Sequence, residues 1–161
     1  MSDDWAREYA EAHNRELQEK RQKEYDAQTG RSYAEQGARA KFQEIRQRIE
    51  QDLRTLGEAS ETFATLGVQE SSDQKFVVRH LIPWVELSVE LHTAMIKYDC
   101  RFSPGGESAK DESKTLRISS DLSGVLTVYE NGGGKALADT SEISKFILKP
   151  LIDFLKTEAL K

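Results

Sequence analysis

The residue types that can do chemistry fall between Glu86 and Lys135. Glu86, Glu90 and His92 share one face of an alternating stretch, and two carboxylates with an imidazole can hold a metal ion. A metal centre draws ligands from several elements, yet His13 and His80 are the only other histidines. A solvated strand face accounts for the same spacing. Cys100, with Asp99 and His92 near it, has the makings of an activated nucleophile. It is also in phase with Ile96, Tyr98 and Phe102, where a cysteine behaves as a small core residue. Asn131-Gly132-Gly133-Gly134-Lys135 has the glycines and lysine of a phosphate cradle. A P-loop, however, follows its lysine with Ser or Thr and opens a helix, whereas Ala136 follows here. A flexible hairpin turn is the simpler reading. No nucleophile elbow is present. No catalytic residue, cofactor or metal is therefore assigned, and the sequence leans away from an enzyme.

A different chemistry is written at the N-terminus. Trp5, Tyr9, Leu17, Tyr25 and Tyr33 are set into an otherwise polar stretch. Large apolar groups of this kind either staple a segment to its own protein or anchor another chain, because aromatics dominate interface energetics. Residues 3–29 read as helix, rich in Glu, Arg, Lys, Gln and Ala and capped by Ser2 or Asp3. Trp5, Tyr9 and Ala12 share a face, which fades beyond Leu17. Glu16–Lys20 and Glu19–Lys23 are favourable pairs, each contributing only about 0.2–0.5 kcal/mol. That is too little to hold an isolated helix. Gln28 to Ser32 reads as a break, with Gly30 ending one helix and Ser32 opening the next through a capping box with Glu35.

The most regular pattern follows. Phe42, Ile45, Ile49, Leu56, Ala59, Phe63 and Leu66 recur at spacings of three and four with one skipped position, a heptad-like seam over 42–66. Asp52 sits at the skipped position, and Leu53 beside it can rotate in. Gly37 and Gly57 each cost about 1 kcal/mol relative to Ala in a helix. The seam must lie on something: a partner helix, the first helix folded back, or the C-terminal half. The weaknesses of the repeat favour, in part, its own C-terminal half.

Gly67 to Gln74 reads as a linker. Phe76 to Ile82 then reads as a strand stopped by Pro83. Val85, Leu87, Val89 and Leu91 alternate with Glu86, Ser88, Glu90 and His92, the pattern of a half-buried strand. The apolar phase flips near His92 and Thr93 and continues through Ala94, Ile96, Tyr98, Cys100 and Phe102. Such a flip marks either a bulge in one long strand or a tight turn between two; a helix opening at Pro83 competes with both. Ser103 to Ser113 is a polar loop, and two further strands (115–119 and 125–130) precede a short last one (135–138). A closing amphipathic helix starts at Asp139, with Glu142 completing its cap and Pro150 set to kink or restart it. Its apolar residues cover more than half its circumference, more than one sheet face can bury.

The fold class expected is α+β: a long N-terminal helical segment, an antiparallel meander of about four to five strands, and a C-terminal amphipathic helix packed on the sheet. Residues 1–68 would form the helical arm and 75–161 a compact domain. The chain of 161 residues is 37% hydrophobic and 32% charged, with a net charge of −5. Acids and bases are mixed in both halves, which argues against nucleic acid or an anionic membrane as the main partner. No apolar run approaches the length of a membrane span, no signal peptide is evident, and Cys100 is the only cysteine, so a cytoplasmic location is expected. The function expected is that of a non-enzymatic assembly protein whose arm self-associates into a homo-oligomer or docks on a protein partner. Its contacts would come from Trp5, Tyr9, Leu17, Tyr25, Tyr33, Phe42, Ile45, Ile49, Leu56 and Phe63. The alternative is a small-ligand-binding domain with an apolar pocket between sheet and closing helix.

Overall fold

The computed structural model describes residues 4–102, 110–131, 134–137 and 139–161. The expected caps at Ser2 and Asp3 and most of the expected loop at 103–113 lie outside these residues. A single helix, α1 (Asp4–Ala59), leads by a short 3-10 turn (Glu61–Phe63) into strands β1 (Gly67–Ser71), β2 (Lys75–His80), β3 (Val85–His92), β4 (Met95–Phe102), β5 (Lys110–Ser120), β6 (Leu126–Glu130) and β7 (Ala136–Leu137). Helix α2 (Thr140–Ala159) closes the chain. The strands form one antiparallel sheet in sequence order, an uninterrupted meander. The α+β class and element order agree with the sequence; seven strands replace the expected four to five.

Each difference has a physical source. The expected linker contains β1, an edge strand paired with β2 and largely exposed, so its residues are polar and carry no apolar alternation. Leu81 and Ile82 are not strand residues: β2 ends at His80, and both side chains stand in the β2–β3 turn. The phase flip at His92 is a tight turn, with Thr93 at φ 57° and Val89 paired with Tyr98 across the β3–β4 hairpin. No helix opens at Pro83.

The break expected at Gln28 to Ser32 does not occur. Helix α1 runs straight through it because Gly30 is buried against the sheet. A Cβ at Gly30 would stand 3.0 Å from the Ser120 carbonyl oxygen, and one at Gly37 would stand 2.7 Å from a Leu126 methyl. With Ala34 and Ala38, also buried, these residues form a small-residue strip that lets the helix backbone press onto β5 and β6. Below the strip the helix carries large side chains: Phe42, Ile45 and Ile49 are fully buried and Leu53 nearly so. Leu53 does rotate into the seam. Leu56 is half-buried and Ala59 exposed. Phe63 and Leu66 lie beyond the end of the helix and cap the same core.

That core is one cluster shared by α1, α2 and one face of the sheet. Register places Phe76 opposite Val89, Val89 opposite Tyr98, and Ile96 opposite Leu116, all on the helix-covered side. Phe42 meets Phe76 at 5.5 Å between ring centroids, and Phe102 meets Phe154 at 4.8 Å. Helix α2 is capped as expected, its Glu142 amide donating to the Asp139 carboxylate at 2.8 Å. It continues through Pro150 as one helix and does not restart. Its wide apolar surface is covered by α1 as well as by the sheet, which accounts for Ile143, Ile147, Leu148, Leu151 and Leu155 all being buried.

One polar contact joins the helices inside this apolar layer. Ser144, fully buried, donates its hydroxyl to Asp52 at 2.6 Å. Arg48 holds the same carboxylate at 3.1 Å and also donates to Ser141. Asp52, the skipped position of the seam, is therefore a hydrogen-bonding point between α1 and α2, beside the Arg48–Ser141 contact. Replacing Asp52 by Ala leaves a buried hydroxyl unpaired and should lower stability by about 1.5–3 kcal/mol, read from urea unfolding. Ser144→Ala should cost less, and a double mutant equal to the sum of the singles would remove the coupling. At the small-residue strip the two glycines should respond differently. Gly37→Ala meets only the end of a flexible leucine and gains about 1 kcal/mol of helix propensity, whereas Gly30→Ala meets backbone and should show no such gain in the same assay.

Candidate functional site

The catalytic constellations dissolve in the fold. Arg79 Nη2 lies 2.8 Å from Glu86, which consumes that carboxylate. Register sets Glu90 between Lys75 and Lys97 on the exposed sheet face, with His92 3.5 Å away at the strand end. Opposite charges facing one another across strands stabilise a sheet, and here they neutralise the carboxylates a metal would need. No group of three or more His, Cys, Asp and Glu able to hold a metal occurs among the described residues. Cys100 is buried in the core of β4. Asp99 is on the other face, accepting from Ser113. The glycine turn falls partly outside the described residues; Gly134 takes a φ of 67°, and strand β7 rather than a helix follows Lys135.

Between α2 and strands β4–β6 lies an open cleft of about 700 Å³. Its rim is charged, with Glu112, Lys114, Glu130, Lys145, Lys149 and Asp153, and Phe146 and Phe154 provide its apolar wall. Lys114 stands 5.5 Å over the Phe146 ring. Near this cleft the Tyr98 hydroxyl is buried and finds no hydrogen-bond partner among the described residues. Burial, reinforced by Glu130 and Glu112, pushes its ionisation well above the ordinary tyrosine range, so it stays a neutral phenol.

The other concave feature lies where α1 leaves the body. A notch of about 660 Å³ separates the helix, at Ala27, Gly30, Arg31 and Ala34, from the β3–β4 turn at Thr93, Ala94 and Met95 and from Ile118 in β5. Arg31, His92 and Arg117 line it, as do Asp26 and Glu35. The neighbouring β5–β6 turn is fixed by Asp121, whose carboxylate accepts from the amides of Ser123 and Val125 at 2.9 and 3.0 Å. Those bonds stabilise the carboxylate and hold its pKa below the ordinary carboxylate range.

Beyond the notch α1 projects alone. At 1.5 Å per residue, Asp4 to Asp26 spans roughly 33 Å. Trp5 is 67% exposed, Tyr9 74% and Tyr25 66%. Leu17 and Tyr33 are less open, at 37% and 40%. The candidates thus divide. Phe42, Ile45, Ile49 and Phe63 are covered by the chain's own sheet and α2, and Leu56 is partly covered. Trp5, Tyr9, Leu17, Tyr25 and Tyr33 are open. Helical phase divides these again: Tyr25 turns away from the sheet side and shares a shallow hollow with Gln28, Thr29 and Ser32 beside Tyr33. Trp5 and Tyr9 fall on the sheet side.

Two groups of exposed apolar residues were not singled out from the sequence. Leu81 and Ile82 are 72% and 88% exposed in the β2–β3 turn, and Leu122 and Val125 are 55% and 61% exposed in the β5–β6 turn. Pro83, which has no backbone N–H to give a sheet ladder, was the signal that the strand ends in this region. The notch had no sequence signal, because small helix residues and a distant turn come together only on folding. No helix among the described residues is long and apolar enough to cross a membrane. Comparison with protein-family models, with curated proteins and with solved structures found no match.

The Tyr98 geometry makes a direct test. Tyr98→Phe removes an unpaired buried hydroxyl and should raise stability by about 1 kcal/mol in urea unfolding. A loss of stability would show that the hydroxyl has a partner.

Proposed function

We propose that the protein is a non-enzymatic assembly protein that uses the free part of α1 to associate with another chain. The observation that carries this reading is the exposure of Trp5 and Tyr9 on a helix whose lower half is locked in the core. An exposed polar helix gains little from its own side-chain pairs. Aromatic side chains held in water at its far end have no intramolecular role, and such residues are the usual anchors of protein interfaces. The rigid attachment supports the same reading, since a presented surface that is already ordered loses less entropy on binding. The arm also carries more acids than bases, seven against five over residues 4–26, which favours a protein surface over a polyanion as its partner.

The ligand-binding alternative needs an enclosed apolar cavity. The cleft beside α2 is open and charge-rimmed, and the side chains between α2 and the sheet are close to fully buried. That reading draws no support from it.

Removing residues 1–24 tests the proposal. The truncated chain should unfold with a midpoint within a few degrees of the full chain, because residues 4–24 bury almost nothing. Its association, followed by light scattering and by binding to purified candidate partners, should be lost. Association that survives truncation would place the interface elsewhere and overturn the proposal.

A further inference from the structure

We infer that the cleft between α2 and strands β4–β6 binds an uncharged, hydroxyl-rich ring, a saccharide, with the Tyr98 hydroxyl at its floor. This goes beyond arm-mediated association and does not depend on it. The cleft opens where β4 meets β5 and β6 meets β7, at Phe102, Glu112, Glu130 and Lys135. The arm leaves the body at the other end of the sheet, beside the β3–β4 turn and Ser120.

The first observation is register. Cross-strand partners project from the same face of a sheet. Glu112 stands opposite Cys100, Lys114 opposite Tyr98, and Glu130 opposite Leu116. Cys100, Tyr98 and Leu116 are buried in the core. Three charged residues therefore occupy the core-facing side of β5 and β6, where the strand pattern calls for apolar ones. Positions that break a local rule in this way are where a site is expected.

The second is Tyr98 itself. It is 1% exposed, and its hydroxyl has no hydrogen-bond partner among the described residues. Glu130, two strands away, acts on it more strongly than Glu112 on the neighbouring strand. The phenol thus leans across β5 into the floor of the cleft that both acids line. A sheet end that is merely solvated accounts for the charges but not for this hydroxyl. Phe would fill the same space without an unpaired polar group. A ligand hydroxyl supplies the missing partner, since a neutral phenol and an alcohol can each donate and accept.

The third is charge. The strand wall carries Glu112 and Glu130 against Lys114 and Lys135. The α2 wall carries Glu142, Asp153 and Glu158 against Lys145, Lys149 and Lys161. Neither wall has a net sign, and acids and lysines are interleaved along both. A cation or an anion meets a like charge beside every opposite one, and a zwitterion finds no separated poles. An uncharged ligand with many hydroxyls meets no such conflict. Its hydroxyls donate to the carboxylates and accept from the ammonium groups.

The fourth is the apolar wall. Phe102 and Phe146 are half-buried at the cleft, and Phe154 backs Phe102. Such rings offer flat apolar area on which the C–H face of a sugar ring can pack. The cleft volume of about 700 Å³ is that of a small-molecule site. Its charged, open rim suits a polar ligand, not the apolar one that an enclosed cavity would take.

The test is isothermal titration calorimetry on the full chain with glucose, galactose, maltose and cellobiose, and with glucosamine and glucuronate as charged counterparts. At least one neutral sugar should bind, and neither charged sugar should bind more tightly. Tyr98→Phe, expected to be the more stable chain, should weaken that binding by about five- to tenfold. Lys97→Ala, on the opposite face of β4, should leave it unchanged. No binding by any neutral sugar up to its solubility limit overturns the proposal. Tighter binding of glucosamine or glucuronate overturns it too, because the cleft would then select a charge. Sugar binding that Tyr98→Phe leaves unchanged overturns the placement at the phenol. None of these outcomes bears on the arm, whose removal should leave sugar binding intact.

Discussion

The structure depends on the burial of one stripe of α1, from the small residues Gly30, Ala34 and Ala38 to the large ones Phe42, Ile45, Ile49 and Leu53. Fully burying each large side chain contributes roughly 1.5–3 kcal/mol. That contribution fixes the helix on the sheet, and the fixed helix in turn covers the half of α2 that the sheet leaves open. It also explains why the arm exists as a helix at all. Starting a helix is unfavourable, while extending one is near neutral for residues such as Glu, Lys, Gln and Ala. The packed half supplies the nucleus, so the polar half extends from it without a core of its own.

How much of this was legible in the sequence follows from where each element gets its stability. The alternation of β3 and β4 and the change of phase between them were readable because one face of the sheet is buried and the other is not. Helix α2 was readable from its cap at Asp139 and its apolar surface, and the excess of that surface correctly implied a second covering element. Gly30 misled, because a glycine that ends a helix and a glycine that lets a helix touch a sheet look alike in one dimension. Only the Ser120 carbonyl across the contact distinguishes them. β1 was hidden for the opposite reason: an exposed edge strand needs no apolar code, and its partner β2 supplies its order. The aromatic residues of the arm stood out from composition alone, whereas the notch is a product of contacts between residues far apart in the chain.

The chemical residues follow the same logic. Glu86, Glu90 and His92 have the spacing of a site, but a polar sheet face produces that spacing whenever charges alternate with core residues. Whether such groups are reactive is decided by what stands opposite them, and Arg79, Lys75 and Lys97 do. Asp52 shows the converse. It reads as a defect in an apolar seam, yet its carboxylate is the acceptor that allows Ser144 to be buried on α2. A charged residue in an apolar repeat is informative about the neighbouring element more than about the repeat itself.

The continuity of α1 gives the exposed arm a meaning that a separate helix would lack. In a broken chain, with a hinge at Gly30, the orientation of Trp5 and Tyr9 relative to the sheet would be averaged over many angles. In an unbroken helix each residue turns the side chain by about 100°, and the count of residues alone sets which way the tip faces. The close approach at Gly30 and Gly37 therefore does two things at once. It seats the helix on β5 and β6, and it locks the angular phase between a core stripe that is buried and an aromatic stripe that is not. A surface ordered in this way is specific in direction as well as in composition, and so the same packing contact that stabilises the body also defines which way the aromatic stripe of the arm faces.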